Sequence, residues 1–130
     1  MVKANAYGHG LEELIEVFAE HADELGVATL DEGLRIRSRL THQIPVYLVS
    51  GEKDWGNREY LDAVREAQLV PAVSSVEELR LLVDRVGGTS PFPVELKLDT
   101  GMGVWASRSV ISGTWLPSSA LPTTSGWWAS

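Results

Sequence analysis

Leu11, Leu14, Ile15, Phe18, Ala19 and Ala22 recur at steps of three and four, the apolar stripe of an amphipathic helix. Ahead of them, Met1 to Ala4 reads as the last residues of a strand and Tyr7-Gly8-His9-Gly10 as turn material. Gly26-Val27-Ala28-Thr29-Leu30 follows as a short buried strand. Asp31 is placed to cap the next helix by accepting a bond from its free amides, with Leu34 and Leu40 among that helix's apolar positions. Ile44 to Val49 is the next strand, and a loop from Gly51 to Asn57 leads to a helix over 58–67 through Tyr60, Leu61, Val64 and Ala67. Leu69-Val70-Pro71-Ala72-Val73 is strand again. Ser75 and Glu78 form a capping box that opens a helix carrying Leu79, Leu82 and Val83. Gly87-Gly88 ends it, and Val94 to Asp99 is a fifth strand.

Strand and helix therefore alternate from Met1 to Asp99. Parallel strands follow, because each crossover helix has to cover the sheet it leaves. Two architectures fit this order: an open doubly wound sheet and a (β/α)8 barrel. In the last strand Val94, Leu96 and Leu98 point one way while Glu95, Lys97 and Asp99 point the other. Charged groups on an interior face near a strand's carboxyl end suit the functional mouth of a barrel. No G-x-G-x-x-G fingerprint follows the first strand, which weighs against the open sheet. The expected fold class is α/β: a partial TIM barrel with about five of the eight strand–helix units, the first of them clipped.

Composition divides the chain in two. Of 11 basic and 18 acidic residues, only Arg108 lies beyond residue 103; residues 1–103 carry −8 and the whole chain −7. Beyond that point stand four of the five tryptophans, Trp105, Trp115, Trp127 and Trp128, amid many Ser and Thr. Neither a linker composition nor a helix or strand period accounts for the stretch. Residues 104–130 are expected to be an unstructured or frame-shifted tail behind a partial barrel domain at 1–103. A net charge of −7 without a basic stripe excludes a nucleic-acid partner. The absence of cysteine excludes disulfides, thiolate metal sites and cysteine nucleophiles. With no secretory pattern and no apolar run near the roughly 20 residues that span a bilayer, no membrane role is expected, and the cytoplasm is the expected location.

Most lysines are surface charges, and Lys3 alone would say nothing. Its setting, Val2-Lys3-Ala4-Asn5-Ala6-Tyr7-Gly8-His9-Gly10, resembles the pyridoxal-phosphate lysine motif of alanine racemases. Glu95-Leu96-Lys97-Leu98-Asp99-Thr100-Gly101-Met102-Gly103 resembles that family's fifth barrel strand and the turn after it. Between them, Gly26 to Leu34 and Leu69 to Val73 stand at the family's spacing. The resemblance covers residues 2–103.

The resemblance implies an isomerase that interconverts L- and D-alanine through a pyridoxal 5'-phosphate Schiff base and supplies D-alanine for cell-wall synthesis. Lys3 would bond to the cofactor aldehyde, a role open to lysine because desolvation readily leaves a free amine, and would serve as base on one face of the substrate. In the family the opposite base is a tyrosine from the partner subunit's C-terminal domain, so the resemblance implies a homodimer. Tyr7 would hydrogen-bond the cofactor phosphate. Gly8 and Gly10 would serve backbone geometry, and His9 has no proton-transfer role in the family. Lys97 matches a lysine that some members carbamylate to orient an arginine at the cofactor ring. That arginine would follow Gly103, where this sequence has Val104.

From Val104 onward the likeness stops. The expectation is therefore a truncated and inactive alanine racemase fragment. Two other readings stand beside it: another pyridoxal-phosphate barrel, such as a broad-specificity amino-acid racemase or a cofactor-binding regulator, and a non-functional gene remnant.

Overall fold

Stripes of apolar residues at helical spacing alternate with short β-branched runs, and the computed structural model, which describes residues 1–50, 53–86 and 91–98, turns each into an element. A helical turn, α1 (Lys3–Tyr7), leads into α2 (Leu11–His21), β1 (Leu25–Val27), α3 (Leu30–Arg39), β2 (Val46–Leu48), α4 (Arg58–Glu66), β3 (Leu69–Val73), α5 (Val76–Val86) and β4 (Glu95–Leu96). The strands lie side by side in chain order, β1-β2-β3-β4, and every pairing is parallel. A doubly wound sheet reverses its strand order at a switch point; this sheet does not, as a barrel requires.

The expected first strand is absent as such. Val2 keeps one sheet-like bond, its N–H donating to Gly26 O at 2.8 Å, and the chain then turns away at Lys3. The described residues thus hold four strands where five were expected. The expected tail at 104–130, the strand residue Asp99, and Gly87-Gly88 lie outside the described residues.

Register separates the two sheet faces. Leu25, Val46 and Leu69 are partners, as are Gly26, Tyr47 and Val70. The first set packs with Leu11, Ile15, Ile36 and Val64 from the helices in one buried cluster. A second cluster joins Trp55, Leu61, Val73 and Leu82. Alternation sends Gly26, Tyr47 and Val70 to the other face, together with Glu95, the partner of Ala72. Burial raises the pKa of the Tyr47 phenol, and the charges of Glu24 and Glu95 raise it further. Glu95 thus stands on that face, on the side the alternation in the last strand predicts.

Local chemistry shifted several boundaries. Thr29, not Asp31, caps α3: its hydroxyl accepts from the Glu32 amide while the Glu32 carboxylate accepts from the Thr29 amide. The Thr29-x-x-Glu32 box offers two reciprocal bonds, so it prevails over a lone Asp31, which falls in the first turn. Gly33 and Ile36 face the core in place of Leu34, which is 40% exposed, and Val83 on α5 is 56% exposed. At α5 the Ser75 hydroxyl accepts from the Glu78 amide as expected, but the Glu78 carboxylate accepts from the amide of Ser74, one residue earlier than a capping box places it. Asn57 caps α4 by accepting from the amides of Glu59 and Tyr60.

Arg37 straps α3 to the α4–β3 junction. Its Nε, Nη1 and Nη2 donate to the carbonyls of Ala67, Ile44 and Gln68, each at 2.9 Å. Burial lowers its pKa, but a guanidinium stays charged in proteins. Arg37→Met keeps the stem and leaves three carbonyls without their donor. A loss of about 2 kcal/mol is expected in urea unfolding, given the strength of bonds to charged groups and the group's partial exposure.

On the outer surface Arg35 and Arg39 reach Glu12 at 2.8 and 3.0 Å, joining α3 to α2. The Arg35 hydrogen bond first, then the Arg39 charge, holds the Glu12 carboxyl below its usual 4.5. The folded state thus binds this proton less readily than the unfolded chain. The stabilisation is present above pH 4.5 and is lost as pH falls through the lower folded value. Glu12→Gln should flatten that part of the acid limb of stability at low salt, and the difference should shrink near 1 M salt.

Candidate functional site

The motif Lys3 to Gly10 folds into an uncommon backbone. Ala4, Asn5, Ala6 and Tyr7 have φ of 52°, 55°, 54° and 53°, and Gly8 follows at 87°. Left-handed geometry costs an L-residue roughly 1–2 kcal/mol, so four in succession persist only where neighbours hold them. Glycine carries no such penalty, which explains Gly8 and, at φ 90°, Gly10.

Four ties hold the turn. Val2 is fastened to β1 by the bond to Gly26. The Ala4 amide donates to Glu32 Oε1 at 2.7 Å. The Leu11 amide donates to Asn5 Oδ1 at 2.9 Å, so Asn5 supplies the cap that Gly10, at the start of α2, has no side chain to provide. His9 Nδ1 lies 2.9 Å from Ala6 O; a carbonyl only accepts, so this nitrogen carries the proton. His9 thus braces the turn.

Lys3 opens that turn, half-buried, directly after the buried Val2. Tyr7 is 59% exposed. It borders an apolar cleft of about 490 Å³ with Met1, Leu14 and Phe18. Lys97 stands one residue past β4, its amide donating to Val73 O at 2.9 Å. Lys3 and Lys97 lie at the same end of the sheet but on opposite sides of it, Lys3 beside β1 and Lys97 just past β4. No hydrogen bond joins either lysine to the other or to Tyr7 among the described residues.

Two residues at this end escaped the sequence reading. Lys53, in the loop after β2, is half-buried; burial lowers its pKa, the nearby Lys97 charge adds to this, and Glu78 opposes it. Nothing in Glu52-Lys53-Asp54 marked it beforehand. Glu32 is the second, and its signal was legible in Thr29-x-x-Glu32. Behind Lys53, Trp55 and Tyr60 meet edge to face with ring centres 6.2 Å apart. Burial, with Asp54 and Glu78 nearby, pushes the Tyr60 phenol up to about 12.

This arrangement offers a primary amine on a braced turn at the carboxyl end of a parallel sheet, with Lys53 and Lys97 across the same end. Known proteins resemble the chain over most of its length. The family model for the alanine racemase N-terminal domain matches residues 1–109. Alanine racemase of Neisseria gonorrhoeae is 41% identical over 103 residues, which are 78% of this chain and 28% of that protein. The biosynthetic alanine racemase of Salmonella typhimurium is 41% identical over 102 residues, 78% of this chain and 27% of that one. Among solved structures, the alanine racemase of Oenococcus oeni superposes with a TM-score of 0.68 at 31% identity, over 83% of this chain and 30% of that one. A Clostridium difficile alanine racemase in complex with cycloserine gives 0.65 at 25%, over 82% and 28%. The chain spans little more than a quarter of the curated relatives it matches. With a parallel sheet in barrel order and this match over most of its length, the chain belongs to the alanine racemase family, through that family's N-terminal domain.

Proposed function

We propose that this chain carries the cofactor-anchoring lysine of an alanine racemase, with Lys3 as the amine that bonds to the aldehyde of pyridoxal 5'-phosphate and alanine as the substrate. The observation that supports it most is the left-handed turn beginning at Lys3, braced by four separate ties. Backbone strain of this kind persists at sites where a side chain has to be held.

The residues fit such a cofactor. An aldehyde calls for a primary amine, which Lys3 offers, and an anionic phosphate for a donor, which the exposed Tyr7 offers four residues further along the same turn. When bound, the cofactor draws electron density from the substrate's alpha carbon. Lys3 holds the aldehyde and then takes or returns a proton at Nζ. Tyr7 donates to the phosphate. Lys97, in free or carbamylated form, would orient a group at the ring, although the arginine that the resemblance places after Gly103 is Val104 here.

The whole reaction, in a cytoplasmic homodimer, belongs to a longer assembly than the residues matched here. The 130-residue chain by itself is expected to show no alanine racemisation, since a second base on the opposite face is needed for inversion. No helix among the described residues is long and apolar enough to cross a membrane.

Labelling tests the central assignment. The chain holds three lysines, Lys3, Lys53 and Lys97. Incubation with pyridoxal phosphate, borohydride reduction and peptide mapping should place most of the label on Lys3. An even spread over the three lysines and the Met1 amine would refute it.

A further inference from the structure

Among the described residues, Glu32 is the one side chain outside the motif that hydrogen-bonds to the Lys3 turn, and it does so across 28 residues of sequence. One carboxylate oxygen, Oε1, accepts from the amide of Ala4, the residue after Lys3, at 2.7 Å. The other, Oε2, accepts from Ala28 at 2.8 Å and from Thr29 at 3.3 Å. Ala28 directly follows β1, the strand to which Val2 is bonded on the other side of Lys3. The lysine is thereby clamped from both flanks to the same strand end: Val2 by a main-chain bond, Ala4 through a carboxylate. A carboxylate suits this task because ionised acceptors make the stronger bonds, and two oxygens serve amides on two segments at once.

We infer that Glu32 is a positioning residue for Lys3, fixing the left-handed turn so that the lysine presents its amine in one orientation. The inference rests on the assignment of Lys3 as the cofactor-binding amine. An ordinary cap explains only part of the geometry: capping α3 uses the Thr29 hydroxyl and the Thr29 amide, and leaves the shortest bond, to Ala4, unaccounted for. Glu32 touches neither substrate nor cofactor in this scheme; it acts through Lys3.

Three variants of the full chain separate these roles. Glu32→Ala removes both oxygens. Glu32→Gln keeps one acceptor and loses the other. Thr29→Ala removes the hydroxyl half of the cap and leaves the Ala4 bond in place. After pyridoxal phosphate labelling and reduction, the ratio of label on Lys3 to label on Lys53 should fall about tenfold in Glu32→Ala and less in Glu32→Gln. Thr29→Ala should leave the ratio unchanged although α3 frays. Amide hydrogen exchange at Ala4 should accelerate by at least tenfold in Glu32→Ala, with Ile15 in α2 as protected as in the parent chain.

An unchanged labelling ratio and unchanged Ala4 exchange in Glu32→Ala would overturn the inference. So would a Thr29→Ala variant that loses the label as fully as Glu32→Ala, since the effect would then belong to the cap. If Glu32→Ala fails to fold, Glu32→Gln carries the same two readings. If the parent chain itself shows no preference for Lys3, the assignment of Lys3 falls, and Ala4 exchange still reports whether Glu32 holds the turn.

Discussion

Leu69→Ala is expected to destabilise the chain by about 3 kcal/mol in urea unfolding, the usual cost of emptying a leucine-sized space in a core that cannot collapse to fill it. Leu69 is 1% exposed and sits in the main cluster among Leu48, Val64 and Ile36. Its side chain fills the space that Gly33 leaves on α3: a Cβ at position 33 would lie 2.7 Å from Leu69 Cδ1 and 3.1 Å from Cδ2. Leu69 is too confined to yield, so Gly33→Ala alone should destabilise by about 1 kcal/mol or more, overpacking outweighing the better helix propensity of alanine. In the Leu69→Ala background the obstruction is gone and only the propensity remains. There Gly33→Ala should stabilise, by up to about 1 kcal/mol. The sign reversal measures how closely α3 sits on β3, and additive effects in this double-mutant cycle would show that the two positions do not meet.

Lys3→Arg should lower pyridoxal phosphate labelling at position 3 by far more than tenfold, to background, while thermal and urea unfolding change little. Arginine keeps the positive charge and a stem of similar length, but its guanidinium does not deprotonate and cannot take the place of a primary amine toward an aldehyde. The substitution separates covalent capture from electrostatic attraction. Cofactor that merely gathers near positive charge would bind Lys3→Arg as well as the parent chain. Label that persists at the same total level on Lys53 and Lys97 would identify adventitious capture. A matching loss in Lys53→Arg would point to the half-buried Lys53, whose pKa burial and the Lys97 charge lower, as the preferred amine.

The succession of elements could be read before any fold was known, because it depends on neighbours within four residues. The stripe from Leu11 to Ala22 became α2, and the β-branched run Leu69–Val73 became β3 at the same bounds. Errors arose where two local signals competed. Asp31 and Thr29 both offered an oxygen to α3, and only the reciprocal pair with Glu32 decided between them. Leu34 and Val83 fit an apolar stripe yet face outward, since the orientation of a helix on its sheet is set by the closest approach available. For α3 that approach is at Gly33.

The site divides in the same way. Lys3 and Tyr7 stand in one contiguous motif and Lys97 in a second, and each motif is legible without a fold. Within the Lys3 motif Asn5 and His9 make two of the ties that hold the turn; the other two, to Gly26 and Glu32, come from elsewhere in the chain and help offset a backbone that is unfavourable for each of Ala4 to Tyr7 alone. The effect of the Lys97 charge on Lys53 likewise depends on parallel strands bringing separate segments to one end of the sheet.

The amino-acid order by itself therefore determined the alternation of strand and helix, the parallel sheet and the motif around Lys3, all of them properties of short segments. Tertiary structure alone decided the hand of the turn after Lys3, the reach of Glu32 to Ala4 and the choice of Gly33 as the contact of α3. Each of those is a bond or contact between segments far apart in the chain, and such contacts form only once packing has met the entropy of closing the loop between them.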